Sequence, residues 1–212
     1  MLKLDQFPME RMTDRDLELP VFFEFLKRTK GKIESALDVG AHYSAGYYAL
    51  ELREYVRKYI ALDPNYDKEV AEIADEFLTT DATKINLPET DLVLCLSTIE
   101  HVGQYPFKFE DFLDQRLNLF CNMLEAAKKY LWISFPVSKY HVIENEMCPI
   151  TPDELENFLI IASGYKISEG YFWSEGPQGG YPWKKSTKEK LINEDYIDSL
   201  GNRGICILEI EK

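Results

Sequence analysis

The stretch SALDVGAHYSAGYY, residues 35–48, decides how the rest of the chain is read. Its apolar run Ala36–Val39 predicts a short strand, and Gly40 a sharp turn at the strand's end. Ser44 then stands where an N-cap belongs, ahead of a helix over Tyr47–Lys58. On that helix Tyr48, Leu52, Tyr55, Val56 and Tyr59 fall on one face. A strand that turns at once into a helix is the opening unit of a parallel sheet. Turns of this kind often carry further glycines, but here His42 and Ser44 occupy those positions. A turn that presses its backbone onto a pyrophosphate needs several glycines, so this one argues against a dinucleotide.

The same alternation continues outward. Upstream, PVFFEFLKRTK, residues 20–30, reads as an amphipathic helix ended by Gly31. Downstream, Tyr59–Leu62 is a second strand stopped by Asp63-Pro64. A helix from Asp67 or Lys68 to Phe77 turns Val70, Ile73, Ala74 and Phe77 inward, and Leu78–Thr80 is a third strand before Asp81. Asp91–Leu96 is a continuous apolar run, the pattern of a central strand covered on both faces. A helix near Glu110–Lys129 carries Phe112, Leu113, Phe120, Met123, Leu124 and Ala127 at helical spacing, and Tyr130–Phe135 is a fifth strand. Thr151-Pro152-Asp153-Glu154 has the form of a capping box with proline at the first helical position, and Gly164 that of a left-handed helix end. Strands at Tyr165–Trp173 and Gly204–Glu211 are joined by a loop without a complete crossover helix, which predicts an antiparallel hairpin.

These elements predict an α/β fold. It is a Rossmann-like, doubly wound, mostly parallel seven-stranded sheet with a closing antiparallel hairpin and helices on both faces. At 212 residues it should form one domain, with an N-terminal helical segment (1–34), a binding core (35–172), a loop or flap (173–203) and a last strand (204–212).

The net charge of -13 opposes a polyanionic partner, so neither DNA nor RNA is the default ligand. No apolar run approaches the roughly 18 residues of a membrane span. The segment MLKLDQFPMERMTDRD lacks the apolar centre of a signal peptide, which places the protein in the cytoplasm with no membrane partner. Cys95, Cys121, Cys148 and Cys206 form no CxxC pair and read as reduced, buried thiols. Oligomeric state has no signature in the sequence.

In a doubly wound sheet, ligands sit beyond the carboxyl ends of the strands. Asp38, Asp63 and Asp81 end the first three strands, and Ser97 to His101 follow the fourth. Each carboxylate alone also suits a turn or cap, but their succession makes a constellation. In order, LDVGAHYSAG, IALDP, TTDAT, DLVLCLSTIEHVG, LWISFP and HVIENEMCPITPDELENFLIIASGYKI resemble the motifs of the class I S-adenosylmethionine-dependent methyltransferases. The resemblance runs from about residue 35 to 172, and Glu100-His101-Val102 and Thr151-Pro152-Asp153-Glu154-Leu155 are its most specific parts. Of the family's Asp-x-Gly-x-Gly-x-Gly, only Asp38 and Gly40 remain. That departure suits S-adenosylmethionine, which has no phosphate, better than a nicotinamide dinucleotide.

The resemblance implies S-adenosylmethionine as cofactor and a small-molecule acceptor methylated on oxygen or nitrogen. Asp38 would orient the methionine part, with Gly40 allowing close approach and Ser97 beside it. Asp63 would accept the ribose hydroxyls, Asp81 the adenine amino group, and the Ala82 backbone would contact the ring. Glu100, His101 and His141 are the candidates for handling an acceptor proton. Small-RNA end methyltransferases of the same fold hold a metal with Glu-x-x-Glu-His and a later histidine. Here Ser97 stands in place of the first glutamate, so no metal site is expected. A non-catalytic protein of the same fold is the other alternative.

Overall fold

The computed structural model describes residues 13–103, 109–140, 148–175, 183–195 and 203–212, with backbone alone over 109–112. Eight strands are present among them: β1 (Ser35–Val39), β2 (Lys58–Asp63), β3 (Glu76–Thr79), β4 (Thr90–Leu96), β5 (Ala127–Pro136), β6 (Lys166–Ser174), β7 (Lys184–Lys185) and β8 (Arg203–Glu211). Six α-helices accompany them: α1 (Asp14–Thr29), α2 (Ala49–Tyr55), α3 (Lys68–Ile73), α4 (Phe109–Ala126), α5 (Pro152–Ile161) and α6 (Lys188–Asn193).

The strands form one sheet in the order β3-β2-β1-β4-β5-β8-β6-β7. From β3 to β5 every pairing is parallel, and β8 runs antiparallel to both β5 and β6. The mixed α/β sheet and its antiparallel closure are as the sequence predicts. The count is eight rather than seven, because the connection between β6 and β8 contains the two-residue β7, paired to β6, and the short α6.

Side-chain alternation along the strands divides the core into two layers. Leu37, Val39, Val93, Cys95, Leu131, Ile133 and Phe135 pack with Phe120, Met123 and Phe158 of α4 and α5. Ala36, Leu92, Leu94, Leu96, Tyr130 and Trp132 pack with Phe22, Phe25 and Leu26 of α1 and with Leu52 and Val70. Burial on both faces explains why DLVLCL shows no polar alternation. Phe22 sits 5.0 Å from the fully buried Trp132, ring centre to ring centre, and anchors α1 on the sheet. No helix among the described residues is long and apolar enough to cross a membrane.

Several element ends differ from the sequence reading, each for a local reason. α1 begins at Asp14, not Pro20: Thr13 N–H donates to the Asp16 carboxylate at 2.6 Å, capping the helix earlier, and Pro20 lies inside it. Ser44 does not cap α2. It opens a 3₁₀ turn at Ser44–Gly46, and its hydroxyl meets the Tyr59 hydroxyl at 3.3 Å. Phe77, read as the end of a helix, belongs to β3, because Ala74 is already extended; α2 ends at Tyr55, before the extended Val56, and Tyr59 lies in β2 as the sequence predicts. Gly164 ends a 3₁₀ turn at Ala162–Gly164 without a left-handed φ. The Thr151–Glu154 capping box forms as expected, with Thr151 N–H donating to Glu154 at 2.9 Å.

Candidate active site

The chain winds outward from β1 in both directions, through β2 and β3 on one side and β4 and β5 on the other. The carboxyl ends of β1 and β4 therefore flank the point where strand order reverses, and the crevice there is where such sheets bind ligands.

Gly40 turns the chain after β1 with φ +85°, a left-handed conformation that favours glycine. A Cβ at this position would lie 2.1 Å from Thr98 Oγ1, so the loops after β1 and β4 meet at a point where only glycine fits. The rest of the turn manages without glycines because carboxylates hold its backbone. His42 N–H donates to Asp63 at 3.2 Å, and Tyr43 N–H donates to Asp67 at 3.0 Å. Tyr43 itself is left-handed at φ 65°, and its ring packs 3.8 Å from that of His42. Asp67 also N-caps α3 through Glu69 N–H at 2.9 Å. Burial pushes its carboxyl up, but the three backbone N–H donors outweigh this and hold it below the usual range. Asp63 receives Asn65 N–H at 2.8 Å on its other oxygen and is nearly buried.

Asp38 faces the α1–α2 layer, as alternation along β1 requires, and is fully buried. The Tyr48 hydroxyl donates to it at 3.1 Å and the Tyr59 hydroxyl at 2.9 Å. Burial pushes its pKa up to about 7, against the pull of the two tyrosines and of Arg15. Asp81 instead stabilises a turn: it accepts Thr83 N–H at 2.9 Å and the Thr83 hydroxyl at 2.7 Å, with Lys84 at 3.1 Å. Burial opposes the charge, but these partners outweigh it and the pKa is lowered. Ala82 follows in the same turn and is nearly buried.

After β4, Ser97 adopts φ 43° and donates its hydroxyl to Glu18 of α1. Glu18 is fully buried and also holds Arg15, Nη1 to Oε2 at 2.8 Å. Arg15 Nη1 reaches the Leu96 carbonyl at 3.4 Å as well. Glu100 is buried and His101 exposed, both on the 3₁₀ turn Ile99–His101. Burial, with the nearby Glu18 charge, pushes the Glu100 pKa up to about 8 against its own backbone bond and the two arginines. The Glu100 carbonyl accepts Arg116 Nη2 at 2.6 Å and Cys148 N–H at 3.2 Å. His141 lies outside the described residues.

The structure thus gathers Asp38, Gly40, Ser97 and Glu100 about the β1–β4 crevice, with Asp63 on the β2 side of β1 and Asp81 after β3. Sequence reading missed Arg15, Glu18 and Arg116. Their signal was a charged residue in an apolar stripe: Glu18 stands i−4 and i−7 from Phe22 and Phe25, and Arg116 stands i−4 and i−7 from Phe120 and Met123. Among the described residues, no three His, Cys, Asp or Glu side chains group in a way that could hold a metal ion.

The two raised carboxyls give stability a definite pH dependence. In the unfolded chain they titrate near the ordinary values of about 4. Their contribution is full below that pH and is lost as pH rises through about 7 for Asp38 and about 8 for Glu100. The urea midpoint is expected to fall as pH rises from 5 to 8.5. Asp38→Asn and Glu100→Gln should each flatten the fall. A midpoint that rises over the range contradicts the assignment.

No family model and no curated protein matches the sequence. Solved structures do match the fold. A S-adenosylmethionine-dependent methyltransferase from Archaeoglobus fulgidus is 16% identical with a TM-score of 0.57, over 93% of this chain and 94% of that one. A Leishmania major S-adenosylmethionine-dependent methyltransferase is 14% identical with a TM-score of 0.59, over 92% and 72%. Magnesium protoporphyrin IX methyltransferase from Synechocystis, crystallised with S-adenosylmethionine, is 14% identical with a TM-score of 0.53, over 91% and 78%. With the strand order and the antiparallel β8, these similarities show that the chain has the class I S-adenosylmethionine-dependent methyltransferase fold.

Proposed function

We propose that the protein transfers a methyl group from S-adenosylmethionine to an oxygen or nitrogen of a small-molecule acceptor. The observation that carries this reading is the set of acids and turns at the strand ends, on a fold whose neighbours include one crystallised with S-adenosylmethionine. The residues suit that molecule. Asp63 is an anchored carboxylate at the end of β2, fit to accept from a ribose diol. Beside the β1–β4 crevice the Arg15 guanidinium is paired with the buried Glu18, so charges of both signs stand there, which suits a zwitterionic amino-acid end. The turn after β1 offers no glycine-rich cradle for a pyrophosphate.

In this reading Gly40 and Ser97 flank the methionine part, and Ala82 backs the adenine beside Asp81. Asp38 works from beneath, fixing Tyr48 and Tyr59 under the crevice rather than touching the ligand. When bound, S-adenosylmethionine supplies an activated methyl group on a neutral leaving group, so alignment of the acceptor is the main task of the protein. Glu100 keeps its proton up to about pH 8, which makes it a proton holder rather than a base at neutral pH. His101, exposed on the same turn, and His141 are then the candidates for receiving an acceptor proton.

Calorimetric titration tests the reading. S-adenosylmethionine and S-adenosylhomocysteine are expected to bind, and NAD not. Asp63→Ala should weaken both by about 1.5–3 kcal/mol, since hydrogen bonds to a charged acceptor are lost. Equal affinity of wild type and variant removes Asp63 from the site. Binding without turnover across sugars, nucleotides, amines and peptides favours a non-catalytic binding protein.

A further inference from the structure

Seven large apolar or aromatic side chains stand exposed among the described residues, and four of them come from neighbouring connections. Tyr43 is 68% exposed, Tyr47 52%, Leu50 64% and Tyr66 60%. The first three lie along the 3₁₀ turn Ser44–Gly46 and the start of α2, and the fourth in the loop after β2. The two connections are tied together, because Tyr43 N–H donates to Asp67, the residue after Tyr66, at 3.0 Å. The 3₁₀ turn, α2 and α3 also pack on one another. Tyr66 rests its ring on Phe77 of β3, 5.2 Å between centres, and Tyr43 packs against His42. These rings are therefore supported from within while most of their surface meets water. Single exposed apolar residues need no explanation, but a contiguous group marks an interaction surface. Tyrosine is also among the residue types that anchor protein interfaces.

The charge around the patch selects its occupant. Glu54, one turn beyond Leu50 on α2, and Glu69, in the first turn of α3, are exposed and have no ion-pair partner among the described residues. Nearby cations are already engaged: Arg53 pairs with Asp75 at 2.9 Å, Lys68 with Glu72 at 3.6 Å and Arg15 with Glu18 at 2.8 Å. The surface is thus aromatic with a surplus of negative charge. The chain's net charge of -13 draws cations from a distance and repels phosphates and second copies of itself. A guanidinium stacks on an aromatic face as well as pairing with carboxylates, and does the first better than an ammonium. The molecule contains an example at the edge of this patch, where the Arg15 guanidinium lies 6.0 Å from the centre of the Tyr47 ring. We propose that the face formed by Tyr43, Tyr47, Leu50 and Tyr66 docks an arginine-rich segment of a partner protein. The proposal does not depend on the methyl-donor reading above.

The test uses a labelled octa-arginine peptide and the full chain, read by fluorescence anisotropy at low salt. Any acidic protein attracts such a peptide, so the deciding variants leave the net charge unchanged. Tyr43→Ser/Tyr66→Ser is expected to weaken binding by about 5–30-fold. Tyr165→Ser, which removes an exposed tyrosine just before β6, should bind as the wild type does. Octa-lysine, of equal charge, should bind the wild type more weakly than octa-arginine. Glu54→Gln/Glu69→Gln should also weaken binding, and it keeps the test open if the serine variant fails to fold. Unchanged affinity in the tyrosine double variant, equal affinity for the two peptides, or an equal loss in Tyr165→Ser would mean attraction by net charge alone and overturn the proposal. Absence of binding to the wild type overturns it as well.

Discussion

Replacing Arg116 by methionine is expected to destabilise the protein by about 3–5 kcal/mol, read from urea or thermal unfolding. Arg116 has no exposed surface and joins three segments. Its Nη2 donates to the Glu100 carbonyl at 2.6 Å and the Cys148 carbonyl at 2.7 Å, while Nη1 pairs with Glu154 at 3.2 Å. Methionine fills much of the volume but leaves the nearly buried Glu154 charge uncompensated and takes a donor from two carbonyls. Adding Glu154→Gln should return part of the loss, because the buried charge goes with its partner. Arg116→Lys keeps the charge, but one ammonium cannot copy the fork, so about 1–3 kcal/mol should still be missing. An Arg116→Met protein within about 0.5 kcal/mol of wild type would mean that these three segments are held by other contacts.

Gly40→Ala ranks next, at about 3 kcal/mol or more. A left-handed φ costs a residue with a Cβ about 1–2 kcal/mol. The new methyl group would also stand 2.1 Å from Thr98 Oγ1 and 2.3 Å from its Cγ2, so one loop must move. The double variant Gly40→Ala/Thr98→Ala separates the two terms. It removes the nearest atoms but not the strain, and Thr98 Cβ at 2.6 Å still crowds the site. Partial recovery is the expected result, measured as the unfolding free energy of both proteins. No recovery would place the whole cost in the backbone, and a stable single variant would falsify the steric argument.

The sheet was legible because its signals are local. Apolar runs bounded by Asp-Val-Gly, Asp-Pro and Pro136 mark strands wherever they pack, and both faces of β4 are buried just as its unbroken run implies. Helix ends were less so. Thr13 and Asp16 cap α1 before a proline that resembles a first helical residue. Tyr59 continues the helical spacing of α2 and also begins an apolar strand; only packing against Asp38 and the sheet decides between them. The acids at the strand ends were legible as a set, but not their different environments. Asp38 is sealed by two tyrosines from other elements, Asp63 is held by backbone from the preceding loop, and Asp81 stabilises its own turn. Arg116 was hidden because its partners, Glu100, Cys148 and Glu154, lie on other segments, and Arg15 because only its partner Glu18 is local while the Leu96 carbonyl lies 81 positions away. Periodicity shows that a charge falls in an apolar stripe, but not what it meets there.

The antiparallel β8 has a consequence for self-association. It lies between β5 and β6, and Tyr130 of β5 meets Glu211 across 81 positions of sequence. The parallel β1–β4 pair already spans 56 positions at Ala36–Leu92, and the β5–β8 pairing has the longest range of the sheet's strand pairings and closes the largest loop. Without β8, the edges of β5 and β6 that face it would present unpaired backbone, that of β5 along a largely buried strand. Such an edge accepts a strand from any chain that offers one. A chain in which β8 has not docked would have its sheet split in two and open to a neighbour's strand. Docking of β8 covers both edges at once, so variants that loosen β8 are expected to aggregate more readily than the wild type.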